Sequence, residues 1–304
     1  MENFLFALNT VLPFLLYIAF GYGVRMAGLA DEDFMKRLNK VIFQAFFPIL
    51  MFNNLYSIPE GMTLNLRLVA VAIISVLLLQ AVLHALAHEK DMTGLRVLVT
   101  AGPTREALDP VRYLSNRSTG KMGYAIAARA AMRGADATLV SGPTALDTPH
   151  GVTRVDIVSA RDMYDAVTSR APEQDFIIKA AAVGDYRPAQ TADEKLKKGD
   201  GEMNIELTRN PDILAALGKD KKPGQLLCGF AMETQNLLDN AESKLRRKNC
   251  DMLVANSLRD KGAGFGTDTN VATLLFKDGH RETPPMMSKE ALADLILDRL
   301  LSMK

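Results

Sequence analysis

Charge is spread so unevenly along this chain that its two parts must have been shaped by different surroundings. Of 71 charged side chains, 36 basic and 35 acidic, only 12 fall in the first 90 residues, yet 12 of the 20 Phe and Tyr are found there. Residues 4–24 carry no charge over about 21 positions, roughly the length a helix needs to cross a bilayer. Residues 41–58 form a shorter apolar stretch with Pro48, Asn53 and Asn54, and 68–87 is apolar except for Ser75, Gln80 and His84. Three such stretches predict membrane helices at about 4–24, 41–58 and 68–87 rather than a buried helical hairpin. A cleavable signal peptide fits poorly, because Glu2 replaces the basic leader and no small-residue cleavage site follows.

Orientation follows from Arg25, Lys36, Arg37 and Lys40, which lie in the first loop and mark it as cytoplasmic. Three crossings then leave everything after Glu89 inside; a re-entrant second stretch would reverse that last step. The expected division is therefore 1–90, membrane, and 91–304, a separate α/β domain.

The rest of the composition mainly excludes. A net charge of +1 offers no field for nucleic acid, and a chain without Trp, 7% aromatic, has no evident stacking platform. Two cysteines, Cys228 and Cys250, with no CxxC and only four His, argue against a disulfide framework or a Cys/His zinc site.

From Leu95 the pattern changes. LRVLVTAG reads as a buried strand entering a turn, MGYAIAARAAMRGA as a helix stopped at Gly134, and ATLVSGP as a second strand. ARDMYDAVTSRA is helical, DFIIKAAAVGDY is a strand running into a loop, and NLLDNAESKLRRKN is a helix between the strands LLCGFAME and DMLVANS. Such alternation predicts a Rossmann-like three-layer α/β domain with a mostly parallel sheet. Ligands in these folds sit beyond the carboxyl ends of the strands, so the loops at 100–121, 182–198 and 229–236 should converge on one site.

The first loop ends in Ser118-Thr119-Gly120-Lys121-Met122-Gly123 and leads into a helix. Amides, hydroxyls and a lysine at a helix amino terminus suit an anion, phosphate above all. Two familiar motifs do not fit. A P-loop needs Gly where this chain has Ser115 and Ser or Thr where it has Met122, and GxGxxG is absent. Read alone, Gly120 and Gly123 are equally well explained as helix-start and packing glycines.

Taken together, VLVTAGPTRE, DPVRYLSNRSTGKMGYAIA, AAVGDYRP with EKLKK, RNPDIL, GFAMET and KLRRKNCDMLVAN closely resemble the phosphopantothenate–cysteine ligase domain of bacterial coenzyme A biosynthesis. The resemblance implies that CTP activates the carboxylate of 4′-phosphopantothenate as an acyl-cytidylate and that the cysteine amine then displaces CMP. It implies magnesium (Mg2+) with the nucleotide, although no carboxylate cluster identifies a protein ligand. It also implies a homodimer. The family domain usually follows a flavin-dependent decarboxylase; the apolar segment stands in that place, so no flavin is expected.

Residue by residue, Asn116 matches an Asn that contacts the acyl intermediate, and Lys195, the first lysine of EKLKK, matches a lysine on a mobile loop. Arg112 is a candidate for gripping phosphate or carboxylate with its planar fork. Ser118, Gly120 and Lys121 belong to the anion loop. Ala181 and Ala182 match small residues lining the pantothenate site, Asp185 a nucleotide contact, and Phe230 the residue lying against the cytosine ring. Lys244 and Lys248 match residues meeting the nucleotide phosphates, with Pro211, Asp212, Ile213 and Leu214 lining the same pocket. The bland readings are a helix cap for Asn116, core for Phe230 and solvated stripes for the lysines. Gly184 and Met232 depart from residues common in the family, and neither removes a functional side chain.

The segment GYGVRMAGLADEDFMKRLNKVIFQAFFPILMFNNL resembles the start of the auxin-efflux-carrier-like transporters, over residues 1–88 only. Those carriers have about ten spans and hold substrate in parts missing here, so transport does not follow. Three readings stay open: a ligase anchored at a bacterial inner membrane with its catalytic domain in the cytoplasm, a carrier fragment with a regulatory nucleotide-binding domain, and a non-catalytic scaffold. If the first 90 residues are foreign to the native polypeptide, the ligase is simply cytoplasmic.

Overall fold

The computed structural model describes residues 90–198, 202–233, 237–257, 264 and 266–304, with five isolated positions between 70 and 78. The chain divides into two units, Met1–Leu77 and Leu78–Lys304, and nearly all described residues belong to the second. The expected spans 4–24 and 41–58, and most of 68–87, lie outside the described residues. Among the described residues, no helix is long and apolar enough to cross a membrane.

Runs of apolar residues without alternation, such as RVLVTA, form strands covered on both faces. Six of them are parallel: β1 (Arg96–Ala101), β4 (Asp136–Ser141), β5 (Val152–Asp156), β6 (Phe176–Lys179), β9 (Leu226–Glu233) and β10 (Met252–Ser257). Two antiparallel strands, β12 (Ala272–Phe276) and β13 (Arg281–Glu282), finish the sheet in the order β13-β12-β10-β9-β6-β1-β4-β5. The chain leaves β1 in one direction through β4 to β5, then returns to build outward from β6 on the other side. The strand order therefore reverses beside β1, the place where a doubly wound sheet opens a crevice.

Alternate residues of each strand feed two layers. Val97, Val99, Ile178 and Val254 face α1 (Lys121–Met132) and α5 (Lys289–Ser302), meeting Ile126, Ala130, Ile296 and Leu297. Leu98, Ile177, Leu227 and Leu253 face the other way, toward α2 (Ala160–Arg170), α3 (Ile213–Lys219) and α4 (Leu237–Arg247). Each fully buried Leu or Ile stabilises the fold by roughly 1.5–3 kcal/mol. Three small antiparallel pairs lie outside the sheet: β2 (Arg105–Ala107) with β3 (Tyr113–Ser115), β7 (Tyr186–Pro188) with β8 (Leu207–Arg209), and β11 (Thr269–Asn270) with β14 (Met287–Ser288).

Residues just after the apolar segment are bound into this domain. Met92 is fully buried, Lys90 Nζ donates to Met132 O at 2.6 Å, and Asp91 pairs with Arg133 at 2.5 Å. The Arg133 guanidinium, itself buried, holds the Asp91 carboxyl below the usual carboxylate range. Arg133 also reaches Asp298 and Arg129 reaches Asp294, which locks α1 to α5.

Helix α1 rides close on β1 because Gly123 has no side chain: a Cβ there would stand 2.8 Å from Thr100 O and 2.6 Å from Ala101 Cβ. Gly123→Ala is expected to push the helix outward and to cost about 1–3 kcal/mol of stability, read as a lower thermal midpoint. A midpoint equal to that of the parent protein would contradict this close contact.

Candidate functional site

Beyond the carboxyl ends of β1 and β6 the two departing segments stay hydrogen-bonded to each other. Thr100 Oγ1 accepts from Ala181 N at 3.1 Å, Gly102 O accepts from Ala182 N at 3.0 Å, and Thr104 Oγ1 accepts from Gly184 N at 3.0 Å. Thr100 and Thr104 are fully buried, and their hydroxyls answer one buried amide, that of Ala181, and one partly buried amide, that of Gly184. Asn116, just past β3, closes the seam by donating Nδ2–H to Ala182 O at 2.8 Å. Buried Glu106 in β2 accepts from Ala160 N at 2.9 Å and fixes the hairpin to the start of α2.

Along this seam lies a cavity of about 400 Å³. Asn116, Ser118, Gly120, Lys121, Ala181, Ala182, Asp185, Phe230 and Lys244 all line it. One wall is the amino terminus of α1. Gly120 sits there in the left-handed region with φ of 82°, and no acidic residue occupies the first turn. The amides of that turn and Lys121 give this wall a positive character. Lys121 Nζ is also paired with Asp268 at 2.6 Å and with Gly266 O at 3.0 Å. Opposite, Lys244 Nζ donates to Phe230 O at 2.9 Å, which ties α4 to β9 beside the only aromatic ring among the lining residues described.

The remaining expected residues take other places. Lys248 is bound to Asp212, and Asp212 caps α3 by accepting from Ala215 N at 2.9 Å. Ile213 and Leu214 are buried in the core under β9, and Pro211 is half-buried beside them. Lys195 is exposed and does not line the cavity. Of the loop 182–198, only its opening residues reach the site. Arg112 does use a planar fork, but on Asp109 of its own turn, with Nε at 3.0 Å and Nη2 at 2.6 Å. Its guanidinium is therefore committed to a protein carboxylate rather than turned toward the cavity.

Sequence reasoning overlooked several lining residues, chiefly Lys179, Asn256, Asn270 and Lys289. Lys179 ends β6 and points to the helix layer that holds Asp212 and Lys244. Desolvation, reinforced by the Lys244 charge, brings its pKa down to about 8, with Asp212 and Asp185 opposing. The signal was present in the sequence: a lysine closing the apolar strand FIIK cannot turn into a fully apolar layer without a polar opening. Asn270 donates to Asn256 Oδ1 at 3.2 Å, giving the far end of the cavity a buried amide pair. Lys289 is buried against the carbonyls of Gly264, Thr267 and Thr269.

The two cysteines are free and buried. Burial pushes the Cys250 thiol up to about 12 and raises that of Cys228 well above the ordinary range. Among the described residues, no three His, Cys, Asp or Glu side chains come together.

Residues 92–303 match the family described as DNA/pantothenate metabolism flavoprotein C-terminal domain. The chain belongs to that family. Over 213 residues the chain is 49% identical to the coenzyme A biosynthesis bifunctional protein CoaBC of Bacillus subtilis, covering 70% of this chain and 52% of that protein. Over 210 residues it is 48% identical to CoaBC of Vibrio cholerae, covering 68% and 52% respectively. The chain thus spans about half the length of the curated relatives it matches. A crystal structure of the C-terminal domain of CoaBC is 44% identical with a TM-score of 0.61, covering 71% of this chain and 98% of the other. The family match accounts for the mostly parallel α/β domain and leaves residues 1–91 unaccounted for.

Lys179 is expected to make any anion binding in this cavity sensitive to pH. With its pKa lowered to about 8, it is charged below that value and neutral above it, whereas ordinary lysines stay charged to about 10.4. Affinity for a nucleoside triphosphate, whose last ionisation is nearly complete by about pH 7.5, is expected to fall from there to pH 9. Lys179→Met should bind more weakly at pH 7 and lose that dependence. Calorimetric titration across the range checks both, and a flat profile for the parent protein would contradict them.

Proposed function

We propose that residues 91–304 join 4′-phosphopantothenate to L-cysteine in a CTP-dependent ligation. The observation that carries this reading is the one cavity in which an amide, a helix amino terminus, four lysines and an aromatic ring meet at the strand reversal. Its volume suits a small substrate. The 44–49% identity to CoaBC proteins across the same residues supports it.

In the first step a carboxylate oxygen attacks the α-phosphorus of CTP. A C–O–P bond forms, the bond to the β-phosphate oxygen breaks, and pyrophosphate leaves. Charge gathers on the phosphates, and the amides opening α1, with Lys121, Lys179 and Lys244, are the groups we assign to it. Phe230 is assigned to the cytosine ring, Asp185 to the nucleotide, and Lys248 with the 211–214 turn to the outer edge of that pocket. In the second step the cysteine amine attacks the acyl carbon, the carbonyl oxygen becomes negative, and CMP departs. Asn116 already gives one N–H to Ala182 O, which fixes its amide plane; its other N–H is the donor for the acyl oxygen. Lys195 is assigned to the first step.

Magnesium does not fit a protein cage here. Among the described residues Asp185 is the lone carboxylate lining the cavity, and Asp212 is engaged by Lys248. The ion belongs with the nucleotide phosphates and water, and no flavin is assigned.

Incubation with phosphopantothenate, cysteine and CTP, followed by mass spectrometry, tests the reading. Ligated product with CTP in preference to ATP is expected, whereas CTP binding without product would favour a regulatory nucleotide-binding domain on a carrier fragment. The half-reactions should separate. Asn116→Asp places a carboxylate where negative charge develops and should let acyl-cytidylate accumulate, while Lys195→Gln should slow its formation. Accumulation in the lysine variant, or none in the Asn variant, contradicts these roles.

The membrane reading of residues 1–90 is also a proposal, with lipid as partner and the ligase domain on the cytoplasmic face of a bacterial inner membrane. The charge-free stretches support it, as do Ile74, Leu77 and Leu78, all more than half exposed. The likeness of residues 1–88 to the first spans of an auxin-efflux-type carrier points the same way. Homodimer formation is supported by Val111, Tyr113, Tyr186 and Leu207, exposed on the β2–β3 and β7–β8 hairpins. Removal of residues 1–88, which keeps Lys90, Asp91 and Met92, is expected to give a water-soluble dimer with turnover close to that of the full chain in detergent. A cooperatively melting fragment without that turnover would overturn the modular division.

A further inference from the structure

Lys289, at the start of α5, is only 4% exposed, and among the described residues no carboxylate pairs with its ammonium. A charge at that depth is costly unless each of its protons is answered. Here the answers are three backbone carbonyls: Gly264 O at 3.2 Å, Thr269 O at 3.3 Å and Thr267 O. A neutral amine has two protons and a lone pair, so three acceptors call for the charged form. The carbonyls are themselves tied together. Thr267 Oγ1 donates to Gly264 O at 3.2 Å and to Thr269 O at 3.0 Å, and the Lys289 amide donates to Asp268 O at 2.9 Å. Thr269 is paired with Ser288 in the β11–β14 ladder.

The same stretch of chain meets the cavity wall. Gly266 O and the Asp268 carboxylate both take the Lys121 ammonium, and Gly264 and Lys289 line the cavity beside it. Carbonyl oxygens gathered around one positive centre, with no carboxylate among them, are the ligand set of a weakly hydrated monovalent cation, whose water they replace. Magnesium, by contrast, keeps its water and takes carboxylates. We infer that Lys289 is a tethered monovalent cation: its ammonium fills a carbonyl cage that would otherwise take potassium or ammonium. Resting on the ligase reading above, the cage also makes Lys289 a positioning residue, which holds the backbone of Gly264 and Thr267–Thr269 against Lys121 at the nucleotide wall. The covalent tether keeps the cage filled in any salt, so the parent protein has no need of a free ion. Without Lys289, binding of the nucleotide would have to order that wall as well.

Melting in defined salts tests the cage without reference to turnover. Lys289→Ala keeps the carbonyls and removes the ammonium. Potassium or ammonium chloride should then raise its thermal midpoint by about 2–4 °C over choline chloride at matched ionic strength. The parent protein should melt alike in all three salts. Lys221→Ala, which removes an ammonium held by the Asp251 carboxylate, should show no preference among them. In turnover, Lys289→Ala is expected to raise the KM for CTP about tenfold in choline chloride with kcat within about twofold, and potassium should restore it. A Lys289→Ala midpoint indifferent to potassium, or an equal gain in Lys221→Ala, would overturn the cage. An unchanged KM for CTP in choline chloride would overturn the positioning role. If Lys289→Ala melts without cooperativity in every salt, the parent carries the test. Nitrogen NMR of its lysine ammonium groups should then show one signal protected from exchange with water at neutral pH and missing in Lys289→Arg; no such signal would overturn the cage. Potassium-dependent melting of Lys289→Ala beside a parent that forms no acyl-cytidylate would keep the cage and sink the ligase reading.

Discussion

The Asn116 and Ala181–Ala182 side of the cavity depends on the seam between the chain leaving β1 and the chain leaving β6. A parallel sheet ordinarily ends where its ladder ends, and the departing loops diverge. Here Thr100 and Thr104 supply hydroxyl acceptors in place of the missing ladder, and Gly102 O supplies a backbone one, so the two segments run together for several more residues. That continuation places Ala181 and Ala182 against the turn into α1 and gives Asn116 a carbonyl to hold. Without it the same residues would be present but separated by loop freedom, and their ordering would have to be supplied by the ligand.

Packing explains why this arrangement is rigid. The two side-chain layers on the sheet are filled by alternate residues of the same strands, so a strand cannot slide without exposing one layer and overfilling the other. Helix α1 is held twice, by the close approach at Gly123 and by the Arg129 and Arg133 pairs to α5. Its amino terminus is thereby a fixed set of partial charges, and the cavity inherits that fixity.

The sequence was most legible where periodicity and chain order coincide. Strands such as RVLVTA and LLCGFAME carry continuous apolar runs, and their alternation with helices predicts the parallel core found here. The antiparallel edge β12–β13 and helix α5 carry no comparable order signal, since their pairing is decided by what the finished sheet leaves uncovered. Among the residues lining the cavity, Ser118 to Lys121 were readable from loop position, whereas Ala181, Ala182 and Asp185 came from the family resemblance. Lys179 was overlooked because it closes an apolar strand that otherwise reads as core. Arg112 places its fork on Asp109, and sequence spacing shows that Asp109 is near but not that its side chain is shielded. Lys195 was identified by resemblance alone, and the structure leaves it outside the cavity.

The two thiols have a consequence for handling this protein in the presence of its proposed substrate. Cysteine and its disulfide exchange readily with any protein thiol that is ionised and open to solvent. Cys228 and Cys250 are neither, being buried with their pKa values driven upward. The folded domain is thus chemically silent toward the sulfur chemistry around it, and alkylating reagents or mild oxidants become reporters of unfolding and not of the site.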